Sequence, residues 1–331
     1  MRAFAFVEPT SLHEVIRLLT AGSGQARPIA GGSDLLGELK EEIVYYERLV
    51  SLAGVAELRH IDPEGGGLRL GALVTLAQLE YDPRLQGAYR ILPEAARSVA
   101  TPEIRFQGTL GGNLCQRPRC LYYRHALTPC LKKGGTDCPA LESPYQAYLS
   151  IMGGQGCYCV HASDLAPPLI ALGAQVALAG PAGARTLPLQ QFFAGPEQDV
   201  RRENVLAADD VLTAVLLPAA LPGWQGTYLK ARERTAGDFP LVSVAVGYAL
   251  SAGRIHQARL VLGGVAPVPW HSPAAEAVLE GQAPSPELAA GAAAAALAEA
   301  QPLAHNAFKI DIGRALVARA ITAVAASLRR E

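Results

Sequence analysis

The sequence predicts an α+β chain of two or three packed units, one of which carries a cysteine-rich insertion. Three observations carry this prediction. At 331 residues the chain exceeds what one core usually serves, and its 50% hydrophobic and 18% charged residues can fill more than one interior. Strand and helix patterns alternate early in the chain, and strands precede helices at its end, the order of an α+β domain. All six cysteines fall between Cys115 and Cys159. A small secreted scaffold spreads its cysteines through the fold, so this confinement reads as a local metal or redox site.

In order, residues 4–7 read as a strand and Ser11 opens a helix, with Glu14 completing a capping-box pattern. Gly22 and Gly24 end that helix. An extended run at 28–30 enters Gly31-Gly32-Ser33-Asp34, and 48–52 gives another strand. Residues 1–55 thus form a small α/β unit. The second unit, 56–222, has strands at 68–72 and 174–179, helices at 91–99 and 163–172, and the insertion over 115–159. Rich in Gly, Pro and Tyr, the insertion needs something other than an apolar core to hold it. Pro218 and Pro222 mark a linker. The third unit, 223–331, alternates like antiparallel strands at 227–232, 242–250 and 254–265. It ends in helical patterns at 286–300 and 312–328, with Ser285 as a cap and Pro286 in the first helical position.

Composition removes several function classes. Twenty-nine basic residues stand against 30 acidic ones, net −1, which gives no electrostatic case for nucleic acid. No apolar run approaches the ~20 residues of a membrane helix, and the first residues are too briefly apolar for a signal peptide. A cytoplasmic chain is expected, unless a partner carries it elsewhere. The seven histidines are scattered, and no Ser–His–Asp order or carboxylate pair suggests acid–base catalysis.

Two glycine loops stand out: Ile29-Ala30-Gly31-Gly32-Ser33-Asp34-Leu35 and Gly108-Thr109-Leu110-Gly111-Gly112-Asn113-Leu114. Paired glycines let backbone N–H groups approach a phosphate, and Ser33 or Thr109 adds a hydroxyl. Neither is a G-x-G-x-x-G fingerprint, and either alone is also a plain tight turn. One such loop in each of two α/β units suggests a shared phosphate ligand. The cysteines could ligate zinc or an iron–sulfur cluster, although only Cys115 and Cys120 have a knuckle spacing; reduced loop thiols are the bland reading. Arg117, Arg119, Arg124, Lys132 and Lys133 surround them. These cations could offset thiolate charge, form a solvated basic loop, or dock an acidic carrier protein.

Together with Thr101-Pro102-Glu103-Ile104-Arg105, His161-Ala162-Ser163-Asp164-Leu165, Tyr228-Leu229-Lys230-Ala231-Arg232, Asp238-Phe239-Pro240-Leu241-Val242 and Gly263-Gly264-Val265-Ala266-Pro267, the two loops resemble the FAD-binding medium subunit of molybdenum hydroxylases. This is the xanthine dehydrogenase and carbon monoxide dehydrogenase family, and the resemblance runs along essentially the whole chain. It implies a p-cresol methylhydroxylase-type two-part FAD-binding domain, followed by a carbon monoxide dehydrogenase flavoprotein-type C-terminal α+β domain. It assigns Ile29, Ala30, Gly31, Gly32, Ser33, Asp34 and Leu35 to the FAD pyrophosphate. Thr109, Gly111, Gly112 and Asn113 form the second phosphate-side loop. Asp164 goes to the ribityl–phosphate side, Leu212 packs on the flavin, and Lys230 lies close to the isoalloxazine ring. A cation there would stabilise reduced, anionic flavin. Read without the resemblance, Lys230 is a surface lysine and Asp164 a helix N-cap.

The insertion resembles that of a subset of the family, the flavin subunits of 4-hydroxybenzoyl-CoA reductase and of periplasmic aldehyde oxidoreductase. The resemblance implies a [4Fe–4S] cluster on Cys120, Cys130, Cys138 and Cys157, with Cys115 and Cys159 as spares, although Cys159 could replace Cys157. It further implies a molybdenum-cofactor large subunit that acts on substrate and a small subunit with [2Fe–2S] clusters. This chain then relays electrons through FAD to or from NAD, ferredoxin, a quinone or oxygen. A stand-alone flavin dehydrogenase or oxidase and a zinc-stabilised, flavin-free binding module are the alternatives. Co-export on a partner's twin-arginine signal would place the chain in the periplasm.

Overall fold

The structure is a computed structural model that describes residues 1–235 and 237–329, so the last two residues of the predicted third unit lie outside it. The chain opens with β1 (Ala5–Val7), α1 (Leu12–Ala21), β2 (Ala26–Ile29), α2 (Leu35–Lys40) and β3 (Arg48–Ser51). β3 lies between β1 and β2, parallel to both. Ser11 Oγ accepts the Glu14 N–H at 3.3 Å and Gly22 ends α1, so the cap forms as read, but the return bond of a capping box does not: the Glu14 carboxylate pairs with Arg17 at 3.6 Å instead. The apolar stripe Val15 and Leu19 buries against Ala26 and Val50.

Next come β4 (Ile61–Glu64), β5 (Gly67–Gly71), α3 (Leu76–Tyr81), α4 (Ile91–Ser98), α5 (Pro102–Gln107), α6 (Leu110–Leu114), α7 (Ala166–Ala171), β6 (Gln175–Gly180), β7 (Gly183–Pro188), α8 (Pro196–Asp199) and β8 (Val211–Leu217). They build an antiparallel sheet in the order β4-β5-β8-β6-β7. Its edge strands β4 and β7 were not legible in the sequence. Their residues Ile61-Asp62-Pro63-Glu64 and Gly183-Ala184-Arg185-Thr186-Leu187-Pro188 are mostly exposed, so neither shows a buried alternation. α7 starts three residues later than the pattern at 163–172 suggests. No α-helix or strand falls between Cys115 and Cys159.

The last part holds β9 (Gln225–Ala231), β10 (Val242–Ser251), β11 (Arg254–Gly263), β12 (Trp270–His271), α9 (Pro273–Leu279), α10 (Pro286–Ala296) and α11 (Phe308–Leu328). The sheet runs β12-β11-β10-β9, antiparallel throughout. Ser285 caps α10 at Leu288 N, 3.1 Å away. One face of this sheet carries α9, α10 and α11, where Ala289, Ala292, Ala293 and Ala296 let α10 close on its neighbours. The other face packs on α4 and α7, and Tyr228, Ala245 and Val261 join the core of the five-stranded sheet. This burial on both faces turns alternate residues of β9 toward the middle of the molecule, and it positions the site.

Candidate functional site

The 29–35 loop leaves β2 and enters α2, and the 109–113 loop forms the start of α6. The two meet directly. A Cβ on Gly31 would overlap the Gln107 carbonyl oxygen, and Gln107 Nε2 donates to the Gly31 carbonyl at 3.2 Å. Gly32 sits at φ +71°, in the left-handed region that glycine occupies without strain. Between the loops opens a cleft of about 450 Å³, within the range of cofactor sites. Ile29, Ala30, Gly31, Gly32, Ser33, Asp34 and Leu35 all line it, as do Thr109, Gly112, Asn113 and Asp164.

Three predicted residues do not line it: Gly111, Leu212 and Lys230. Gly111 turns to the sheet, where its N–H donates to the Ala72 carbonyl at 2.9 Å. With Leu212 it lines an adjoining chamber of about 190 Å³. Gly112 borders both spaces, and a Cβ there would meet only Thr109 Oγ1, the atom that caps α6 by accepting the Gly112 N–H at 3.1 Å. Asn113 Oδ1 accepts from Ser163 Oγ at 2.6 Å, and Ser163 Oγ accepts the Ala166 N–H at 3.0 Å. Ser163 thus supplies the helix-start contact that the sequence suggested for Asp164.

Asp164 is 2% exposed and is held from β9. Its Oδ1 accepts from Tyr228 OH at 2.6 Å and its Oδ2 from Lys230 Nζ at 2.7 Å. Lys230 also donates to the Ser98 carbonyl at 3.2 Å, and its side chain is 4% exposed, so the surface-lysine reading does not hold. Burial, and then the Asp164 charge, push the Tyr228 hydroxyl well above its ordinary pKa, keeping it a donor. The Lys230 charge is matched by Asp164, which puts the pair, rather than a bare ammonium, beside the cleft.

The cysteine segment is held by buried charge. Asp34 accepts from the Arg117 N–H at 2.7 Å, from Arg124 at 2.6 Å and from Arg119. Glu38 accepts from Tyr123 OH, and burial raises its pKa against that hydrogen bond. Glu203 pairs with Arg117 at 2.5 Å and Lys132 at 2.6 Å. With Arg117, Arg119, Arg124 and Lys132 at 19, 28, 18 and 4% side-chain exposure, a solvated basic loop is ruled out. These residues were visible in the sequence only as charges near cysteines; their carboxylate partners lie 71 to 90 positions away.

Burial pushes Cys115 up to about 12 and Cys120 up to about 11. The charges of Cys157 and Cys138 act on Cys120, and those of Cys157 and Cys130 act on Cys138. Cys157 and Cys159 share a 3.6 Å sulfur contact. That contact draws Cys157 down to about 6 and drives Cys159 well up. Among the described residues, no three His, Cys, Asp or Glu side chains converge on a point suited to a single metal ion. Next to this group His161 is buried and edge-on to Phe193 at 4.6 Å, with burial pushing it down to about 3.

Residues 2–220 match the family described as the FAD binding domain in molybdopterin dehydrogenase, and 227–324 match the CO dehydrogenase flavoprotein C-terminal domain. The chain is 34% identical over 298 residues to the aldehyde oxidoreductase FAD-binding subunit PaoB of Escherichia coli (strain K12), covering 88% of this chain and 89% of that one. It is 28% identical over 299 residues to the carbon monoxide dehydrogenase medium chain of Hydrogenophaga pseudoflava, covering 90% and 88%. A solved carbon monoxide dehydrogenase from Hydrogenophaga pseudoflava, lacking the Mo-pyranopterin moiety of its cofactor, superposes with a TM-score of 0.79 at 28% identity, covering 98% of both chains. Quinoline 2-oxidoreductase from Pseudomonas putida 86 gives 0.76 at 28% identity, covering 99% of this chain and 98% of that one. The chain belongs to the FAD-binding medium subunits of the molybdenum hydroxylase family, and it is an oxidoreductase subunit of mixed α and β architecture.

Proposed function

We propose that this chain relays electrons through FAD in the 450 Å³ cleft, and through a [4Fe–4S] cluster on Cys120, Cys130, Cys138 and Cys157, within a heteromeric molybdenum-dependent oxidoreductase. The observation that carries the flavin half is the convergence of both glycine loops on one cleft. The residues suit the group. Gly31, Gly32 and Gly112 all line the cleft, and Arg119 Nε is buried without a hydrogen-bond partner among the described residues.

FAD bound there supplies exchange between one-electron and two-electron carriers. The chain's own part is to hold and orient. Asp164, fixed from two sides, keeps acceptor capacity for polyol hydroxyls. Its pairing with Lys230 keeps the local charge near zero, so uptake of negative charge in the cleft draws on the wider field rather than on a lone ammonium.

Cys138 lies near enough to Cys130 and Cys157, and Cys120 near enough to Cys138 and Cys157, for those neighbours' charges to act on it, and this proximity is what supports assigning the four thiols to one cluster. Lys132 acts electrostatically on Cys157 and Cys159, which suits a site that gains negative charge.

The relatives' names call them medium chains or FAD-binding subunits of enzymes acting on aldehyde, carbon monoxide or nicotine. Substrate changes while this fold persists, as expected when the substrate site lies on a partner. The partners implied are a molybdenum-cofactor large subunit and a [2Fe–2S] small subunit. Assay of flavin, iron and acid-labile sulfide in the anaerobically purified chain tests the reading: about four iron and four sulfide per FAD are expected. FAD without iron would remove the cluster, and zinc without flavin would sink the relay.

A further inference from the structure

We propose that the cysteine segment is itself part of the dinucleotide site, through Arg119, which donates to the diphosphate of the bound FAD. The inference rests on the flavin reading above and adds an anion-binding residue from outside the two glycine loops.

Arg119 lines the cleft beside Gly31, Gly32 and Ser33. Its guanidinium is held on three sides: one terminal nitrogen donates to Asp34 Oδ1, the other to Gln116 Oε1 at 3.2 Å, and its plane lies over Phe239, 5.2 Å from the ring centroid. What remains is Nε, buried and without a hydrogen-bond partner among the described residues, a state that a polar group rarely keeps. The neighbouring arginines do not serve equally. Arg117 is occupied by Tyr123, Glu203 and the Arg201 carbonyl, and Arg124, bonded to Asp34 and the Pro118 carbonyl, does not line the cleft.

Asp34, Glu38 and Glu203 face Arg117, Arg119, Arg124 and Lys132, and of these cations Arg117 and Arg119 line the cleft. An organic diphosphate is the anion that fits there, and a guanidinium meets phosphate oxygens with both charge and direction.

The test compares two flavins on the full-length chain stripped of flavin. Equilibrium titration with FAD and with riboflavin, which has no phosphate, is run on the parent and on Arg119→Ala. We expect FAD to bind the variant roughly 10- to 100-fold more weakly, with riboflavin affinity unchanged and a shallower dependence of FAD affinity on salt. Equal weakening of both flavins would assign Arg119 a merely structural role and overturn the proposal, as would unchanged FAD affinity. If Arg119→Ala does not fold, Arg119→Lys keeps the cation without the Nε donor and carries the same comparison. A parent chain that binds neither flavin would instead sink the flavin reading itself.

Discussion

Asp164 and Lys230 show how little a residue type says about its role until its partner is known. Both are nearly without solvent, 2.7 Å apart, and removing one leaves the other charged and buried. Lys230→Met is therefore expected to cost about 3–5 kcal/mol in urea unfolding, while adding Asp164→Asn should recover much of that loss; additive costs would mean the pair is not coupled. Lys309 behaves differently. It lies wholly buried on α11 and donates to the Leu149 and Gly264 carbonyls at 2.7 and 2.6 Å. Burial lowers its pKa from 10.5 to about 7. Between those two values the unfolded chain holds a proton that the folded chain has released, so stability rises with pH across that window, and the penalty is complete below it. Unfolding curves from pH 7 upward should show the rise, and Lys309→Met should flatten it.

The two glycine loops and the cysteine segment act as elements, and their substitutions should divide accordingly. Gly31→Ala forces the loops apart at Gln107; we expect a loss of about 2 kcal/mol and a purified chain largely without FAD. Gly37 lies exposed in α2 with nothing near a new Cβ, so Gly37→Ala should stabilise by about 1 kcal/mol and leave flavin content alone. Glu203 joins Lys132 and Arg117 across the segment. Glu203→Gln should loosen it, read as faster proteolysis between 115 and 159 and lower iron content; unchanged proteolysis would separate the ion network from the segment's order. The loops could be read in the sequence because glycine pairs need a backbone reason. The way they converge could not, because Gly31 and Gln107 are 76 positions apart.

At the scale of the molecule, the third sheet lies between its own helices and the helices of the middle part, and this placement delivers Tyr228 and Lys230 to Asp164. As a FAD-binding subunit of an oxidoreductase family whose substrate site lies on a partner subunit, such a chain is expected to hold a flavin and not to turn over substrate itself. The isolated, FAD-loaded chain is therefore expected to be bleached by dithionite but not by aldehydes or other hydroxylase substrates, as followed by flavin absorbance. Bleaching by a substrate without partner subunits would return the chain to the stand-alone dehydrogenase reading.

By itself the sequence determined the α+β class, the capped helices at Ser11 and Ser285, the inner strands apart from β8, the two glycine loops and the odd clustering of cysteines. Each is a local property: a cap, a period or a spacing. Tertiary structure alone decided that Ser163 rather than Asp164 meets the start of α7, that Lys230 is matched by Asp164, that Leu212 and Gly111 belong to a side chamber, and that Arg117, Arg119, Arg124 and Lys132 are ion-paired and at least half-buried. Those outcomes depend on which distant groups share a low-dielectric interior, where an unpaired charge or donor is costly, and the chain settles such pairings only when it packs.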